Sequence, residues 1–201
     1  MELLFSKIDL YSVETNQIEK AKGAARAIPE SRLKTADDDA LTKGIIEKFA
    51  MEVPTVDWDQ ASVSRKEVQV DLMHQHGTRA FYQGRSVPAS GEKVTVTVPY
   101  AGDGEYFRIR PSSYTMNPPR AKISPMSLLF EYQGQQVNIE QAKREYENVK
   151  AEITKYLATL ANDLRSANEK LAAGIRPIVQ EKRKRMEHGE ANLAGFGLPI
   201  K

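Results

Sequence analysis

Cysteine is absent from this 201-residue chain, and its absence removes a whole block of chemistry at once. Disulfides, thiolate metal sites, cysteine nucleophiles and iron–sulfur clusters are all excluded, which fits a reducing, cytoplasmic setting. Histidine is scarce, with only His74, His76 and His188. No window approaches the run of about 18 apolar residues that a membrane-spanning helix needs. The start, Met1–Lys7, lacks the basic and apolar regions of a signal peptide. Catalytic signatures are missing as well. There is no Gly-x-Ser-x-Gly elbow, no phosphate-binding glycine loop of either common type, and no Glu-x-Lys such as metal-dependent nucleases carry beside an aspartate. Gly102-Asp103-Gly104 has the glycines of a phosphate loop but reads more simply as a turn.

What is present describes an ordinary folded protein. Hydrophobic residues make up 40% and charged residues 28%, enough for a core and too balanced for wholesale disorder. The 29 basic residues against 27 acidic ones leave a net charge of +2, which by itself points to neither a nucleic-acid nor a membrane surface.

Residues 1 to about 56 have helical spacing. Ile8, Tyr11, Ile18, Ala21, Ala25 and Ile28 form one stripe, ended by Pro29. Asp37-Asp38-Asp39 offers a cap and first-turn negative charge to a second stripe of Leu41, Ile45, Ile46 and Phe49. Between 57 and 134 the period shortens to two. Ser62–Leu72 reads as one strand, and Val94, Val96 and Val98, alternating with threonines, as another. Tyr106–Arg110 reads as the strand returning after the Ala101–Gly104 turn, and Ala121–Ile123 pairs with Leu128–Tyr132 around Ser124-Pro125. Helical period returns at Asn138 and persists to about Asn192. Its seam includes Tyr146, Val149, Ile153, Tyr156, Leu160, Leu164 and Leu171. Pro177 lacks the donor that an interior helix position needs. The run therefore either breaks near Gly174–Pro177 into a helical hairpin or stays long and pairs with another chain.

The fold class is α+β: N-terminal helices, a small, mostly antiparallel sheet of four or five strands, and a long C-terminal helix or helical hairpin. Two domains are expected, 1–134 and 135–201. The seam from Tyr146 needs a cover, whether the chain's own sheet, a sister subunit or an effector.

Two basic groups are candidate anion sites. Lys182, Arg183, Lys184 and Arg185 surround a helix and suit phosphate contacts or, more simply, a solvated surface. Arg108 and Arg110 would share one face of their strand, and Arg120 could join them to bind an anion. Ion pairs with Glu67, Asp71 or Glu105 explain them equally well. His74 and His76 have the spacing of two metal ligands on an extended segment, but they lie in a polar loop with no third ligand anchored nearby, so no metal or cofactor is assigned.

One stretch resembles a known family. Val98-Pro99-Tyr100-Ala101-Gly102-Asp103, then Arg110-Pro111-Ser112-Ser113-Tyr114-Thr115-Met116-Asn117-Pro118-Pro119-Arg120-Ala121, is similar to the N-terminal region of bacterial restriction-endonuclease-like proteins. Arg65–Asp71 and Phe196–Lys201 extend the likeness over roughly residues 40 to 201. The resemblance implies a region preceding a PD-(D/E)xK nuclease, in an architecture associated with anti-phage (antiviral) defence. None of that family's catalytic residues has a counterpart here, so the chain is expected to carry no catalytic residues. It reads as a non-catalytic accessory, oligomerisation or sensing module. Its expected partners are further copies of itself and a nuclease domain or effector subunit. The alternative is a nucleic-acid-binding module using the two basic groups.

Overall fold

A computed structural model of the chain describes residues 1–74, 83–84 and 86–195. In chain order the elements are β1 (Glu2–Leu3), β2 (Ile8–Asp9), α1 (Leu10–Arg26), α2 (Glu30–Thr35), α3 (Asp38–Phe49), β3 (Thr55–Val56) and β4 (Ser62–Asp71). There follow β5 (Pro88–Ala101), β6 (Ile109–Arg110), β7 (Arg120–Ser124), β8 (Ser127–Gly134) and α4 (Ile139–Ala194). The architecture is α+β, with an antiparallel sheet and one long C-terminal helix.

Helix starts follow their caps. Asp9 accepts a hydrogen bond from Ser12 N, Asp37 from Ala40 N at 2.6 Å, and Asn138 from Gln141 N at 3.0 Å. Each satisfies a backbone donor that the first helical turn cannot pair. The long helix does not break. It runs through Pro177, whose ring lies on the exposed side while Ile175 and Val179 are buried. The carbonyl of Ala173, deprived of its donor by the proline, belongs to an exposed residue where water can serve it.

The chain divides into two compact units, each assembled from separated stretches: Met1–Ile8 with Val53–Leu160, and Asp9–Glu52 with Ala161–Lys201. These boundaries differ from a division at residue 134. The chain leaves the sheet unit after residue 8, builds α1 to α3, and returns at residue 53, while α4 serves both units in turn.

The sheet unit holds a six-stranded antiparallel sheet in which β1 and β3 are two residues each, leaving four substantial strands. The order is β1-β7-β8-β5, and the far side of β5 is shared by β4 and β3. The sequence-based hairpin after β5 does not form. Gly104–Arg108 is a 3-10 turn whose start is held by Asp103 accepting from Glu105 N, and β5 pairs instead with β4 and β8. Burial explains the difference. The turn drives Phe107 fully inside, edge-on to Tyr100 at 5.0 Å and to Phe5 at 6.2 Å. The Ser124-Pro125 hairpin does form, as β7 and β8. Val94, Val98, Leu128 and Phe130 share the inner face. Tyr146 packs edge-on against Phe130 and Trp58, and Tyr156 stacks on Phe5 at 4.9 Å. Gly91 is required where the strands crowd: a Cβ there would lie 2.5 Å from the Gly134 carbonyl oxygen and 2.8 Å from Val70.

The helical unit closes around Ala21, Ala25, Ile28, Leu33, Leu41, Ile45, Leu171, Ile175 and Val179. Ala21, Ala25, Ile28, Leu41, Ile45 and Leu171 come from the sequence stripes, since apolar residues three or four apart share one face; Tyr11 of the first stripe is exposed, and Leu33 and Val179 are buried from outside the stripes. A partly buried pair of bonds ties its parts: Asn168 accepts from Met51 N and donates to Met51 O, both at 2.9 Å.

Candidate functional site

The four basic residues at 182–185 separate into different roles. Arg183 is partly buried and reaches back to α2. Its Nε pairs with Asp38 at 2.6 Å, while its two terminal nitrogens donate to the carbonyls of Leu33 and Ala36 at 2.5 and 2.6 Å. Those carbonyls sit at the C-terminal end of α2, where no helical donor remains and the dipole favours a cation. Lys182 does the same for α1, donating to the carbonyl of Arg26, and Arg185 pairs with Glu181 one turn away. Lys184 and Arg185 are the exposed members of the run. The cleft of about 640 Å³ beside this run has Ile178 and Met186 on its apolar side. Its three cations, Arg26, Lys182 and Arg185, face three carboxylates, Glu30, Glu181 and Glu190. A surface so balanced has little field to offer a phosphate chain.

The strand arginines are also distributed. Arg108 lies in the 3-10 turn rather than on a strand with Arg110, so the shared strand face expected of them is not present. It pairs with Glu105 and with Glu2, which hold its charge firmly, and Glu105 was among the partners expected for it. Arg110 lies over the Tyr114 ring at 5.2 Å. Arg120 is exposed at the start of β7. The adjoining Ser112–Asn117 segment is pinned by Tyr156, whose hydroxyl accepts from Thr115 N at 2.8 Å and lies 2.9 Å from Thr115 Oγ1. That pin leaves Met116 97% exposed on an anchored loop.

The helical seam is occupied by the chain itself. Ile153, Tyr156, Leu160, Leu164 and Leu171 are buried, and Tyr146 and Val149 are half-buried. His76 and the side chain of His74 lie outside the described residues, as does Phe196–Lys201. Among the described residues no three histidine, aspartate or glutamate side chains gather as a metal ion would require. No helix among them is long and apolar enough to cross a membrane.

Sequence reasoning missed the charge pattern of the sheet's open edge. Strand β4 pairs along its whole length with β5, and among the described residues no strand pairs with its other side. Its central charges meet like charges across the ladder. Lys66 lies opposite Lys93, and Glu67 opposite Glu92. Direct like-charge opposition weakens a strand pair. On β5 both charges are compensated. Lys93 reaches Glu131 at 2.7 Å; Glu92 takes Arg65 and accepts from Val137 N at 2.7 Å. The Val137 bond chiefly, with Arg65 assisting, holds the Glu92 carboxyl below the usual range, and the Lys93 bond does so for Glu131. Lys66 and Glu67 are exposed. The alternation Arg-Lys-Glu was legible from the start, but only the register shows what each residue faces.

No protein-family model, curated protein or solved structure matches this chain.

Proposed function

We propose that this protein is a non-catalytic assembly module of the cytoplasm, in which two copies join through the open edge of β4. The observation that carries the reading is the unsatisfied pattern of that edge. Charged residues on an edge strand ordinarily discourage pairing. Here they complement themselves. A two-fold axis perpendicular to the sheet opposes residues that point to the same face. Centred on Lys66, that register places Arg65 of each copy opposite Glu67 of the other, twice per dimer. Each Glu67, which faces Glu92 in its own sheet, thereby gains a cation, and the outward-facing backbone groups within Ser62–Val70 acquire partners. The Lys66 pair at the centre is exposed, where salt screens it. The buried state of the α4 seam leaves self-association to another surface, and this edge supplies one. The resemblance over Val98–Ala121 suggests the effector that such a dimer would bring together: a nuclease, on the same or a separate polypeptide, acting in defence against foreign DNA.

Light scattering at tens of micromolar tests the edge. The native chain should run as a dimer. Glu67→Arg and Arg65→Glu should each be monomeric, and an equimolar mixture of the two should regain the dimer, because each then supplies the charge the other lacks. A monomeric native chain overturns the proposal, as does a dimer indifferent to both substitutions.

A further inference from the structure

The outer face of the sheet carries a second pattern, independent of the edge. By alternation from the paired residues, Ser62, Ser64 and Lys66 of β4, Lys93, Thr95 and Thr97 of β5, Leu129 and Glu131 of β8, and Arg120 and Lys122 of β7 all point to the side away from the buried core. Four cations thus share a face with one carboxylate. Glu131 is committed to Lys93, and Lys122 lies close enough to help keep it ionised. Lys66, Arg120 and Lys122 are exposed. Lys66 lies directly opposite Lys93, whose charge Glu131 already meets, and an anion placed over the pair would meet the Lys66 charge as well.

We infer that this outer sheet face binds the phosphate backbone of duplex nucleic acid without reading its sequence. From β4 to β7 the face spans three strand spacings, roughly 14 Å. Duplex DNA presents one charge per about 1.7 Å of axis, so several phosphates fall within reach of the four cations. The threonine and serine hydroxyls between them can donate to phosphate oxygens. No aromatic side chain from these strands points to this face, so the stacking platform that holds single strands is missing. Its apolar members, Val68, Val70 and Leu129, are buried or half-buried, which gives a bilayer nothing to receive. Lys182, Arg183 and Arg185 on α4, engaged by the chain's own carbonyls and carboxylates, have no part in this contact.

Fluorescence anisotropy with a random-sequence duplex of about 30 base pairs, across a salt series, tests the assignment. With about three to four phosphates neutralised, the slope of log affinity against log salt should be near −3. The variant Lys66→Gln/Arg120→Gln/Lys122→Gln should bind at least about tenfold more weakly at low salt, with most of that slope gone. Lys184→Gln, an exposed charge on α4, should bind as the native chain does. Absence of binding at low salt overturns the inference. So does a triple variant that binds normally, an equal loss in Lys184→Gln, or binding to anionic vesicles with none to the duplex. Light scattering on Arg120→Gln/Lys122→Gln, which leaves the whole β4 edge untouched, separates this from edge pairing: weakened duplex binding with an unchanged oligomeric state supports the inference, and unchanged binding overturns it.

Discussion

The two units use the same kinds of charge in opposite ways. In the helical unit Arg183 and Lys182 are turned inward to the carbonyl ends of α1 and α2, and neighbouring cations and carboxylates balance one by one. In the sheet unit, Lys66 and Glu67 of β4 sit opposite their own sign. A cation at a helix C-terminus serves the fold. Lys66, set against Lys93 and exposed, has no such service to the fold, and the phosphate contact proposed above would give it one. Density of basic residues along the sequence therefore does not tell their roles: within the richest run Arg183 and Lys182 serve helix ends, while Lys66, Arg120 and Lys122, scattered in sequence, share one exposed sheet face.

The largest effects expected from breaking this contrast lie in the two cores. Phe130→Ala in the sheet unit should cost about 3–5 kcal/mol, and Leu171→Ala in the helical unit about 2–5 kcal/mol, measured by urea unfolding. A loss below about 1 kcal/mol at either site would mean that the packing described for that unit is wrong.

Next in size is the difference between adjacent basic residues. Arg183→Ala removes a half-buried ion pair and two carbonyl contacts and should cost about 1.5–3 kcal/mol. Lys184→Ala, on the exposed side, should stay within about 0.5 kcal/mol. Arg183→Lys should recover only part of the loss, because an ammonium cannot reproduce the planar fork that meets Asp38, Leu33 and Ala36 together. Equal effects at 183 and 184 would erase the distinction between an inward and an outward cation.

The smallest effect is confined to alkaline conditions and to the sheet unit. Burial pushes the Tyr132 hydroxyl up to about 12, above its ordinary value near 10. The fold thus favours the protonated phenol. Its contribution is complete below about pH 10 and disappears as pH rises through 12, because the unfolded chain ionises first. Unfolding midpoints measured from pH 9 to 12 should fall for the native chain and fall less for Tyr132→Phe. Parallel curves would place Tyr132 in water.

Much of this was legible in one dimension. The stripes of α1 and α3, the Asp37 and Asn138 caps, the β5 alternation and the β7–β8 hairpin all follow from local spacing and local side-chain bonds. Tyr106–Arg110 misled because its alternation is genuine, yet Asp103 and the depth of Phe107 favour a 3-10 turn. Pro177 misled for the converse reason. Its local penalty is real, but burial of Ile175 and Val179 on either side holds the helix through it.

Periodicity and caps are properties of neighbours along the chain, and for that reason the sequence alone determined the order and type of most elements, the α+β class, and the lack of thiol chemistry. Which strand lies beside β5, whether a seam is covered from within, and what each charge faces depend on residues up to about 150 positions apart, such as Arg183 and Leu33. Those pairings are chosen by the packing of the whole chain, because burial and Coulomb energy depend on distance in space and take no account of distance along the backbone.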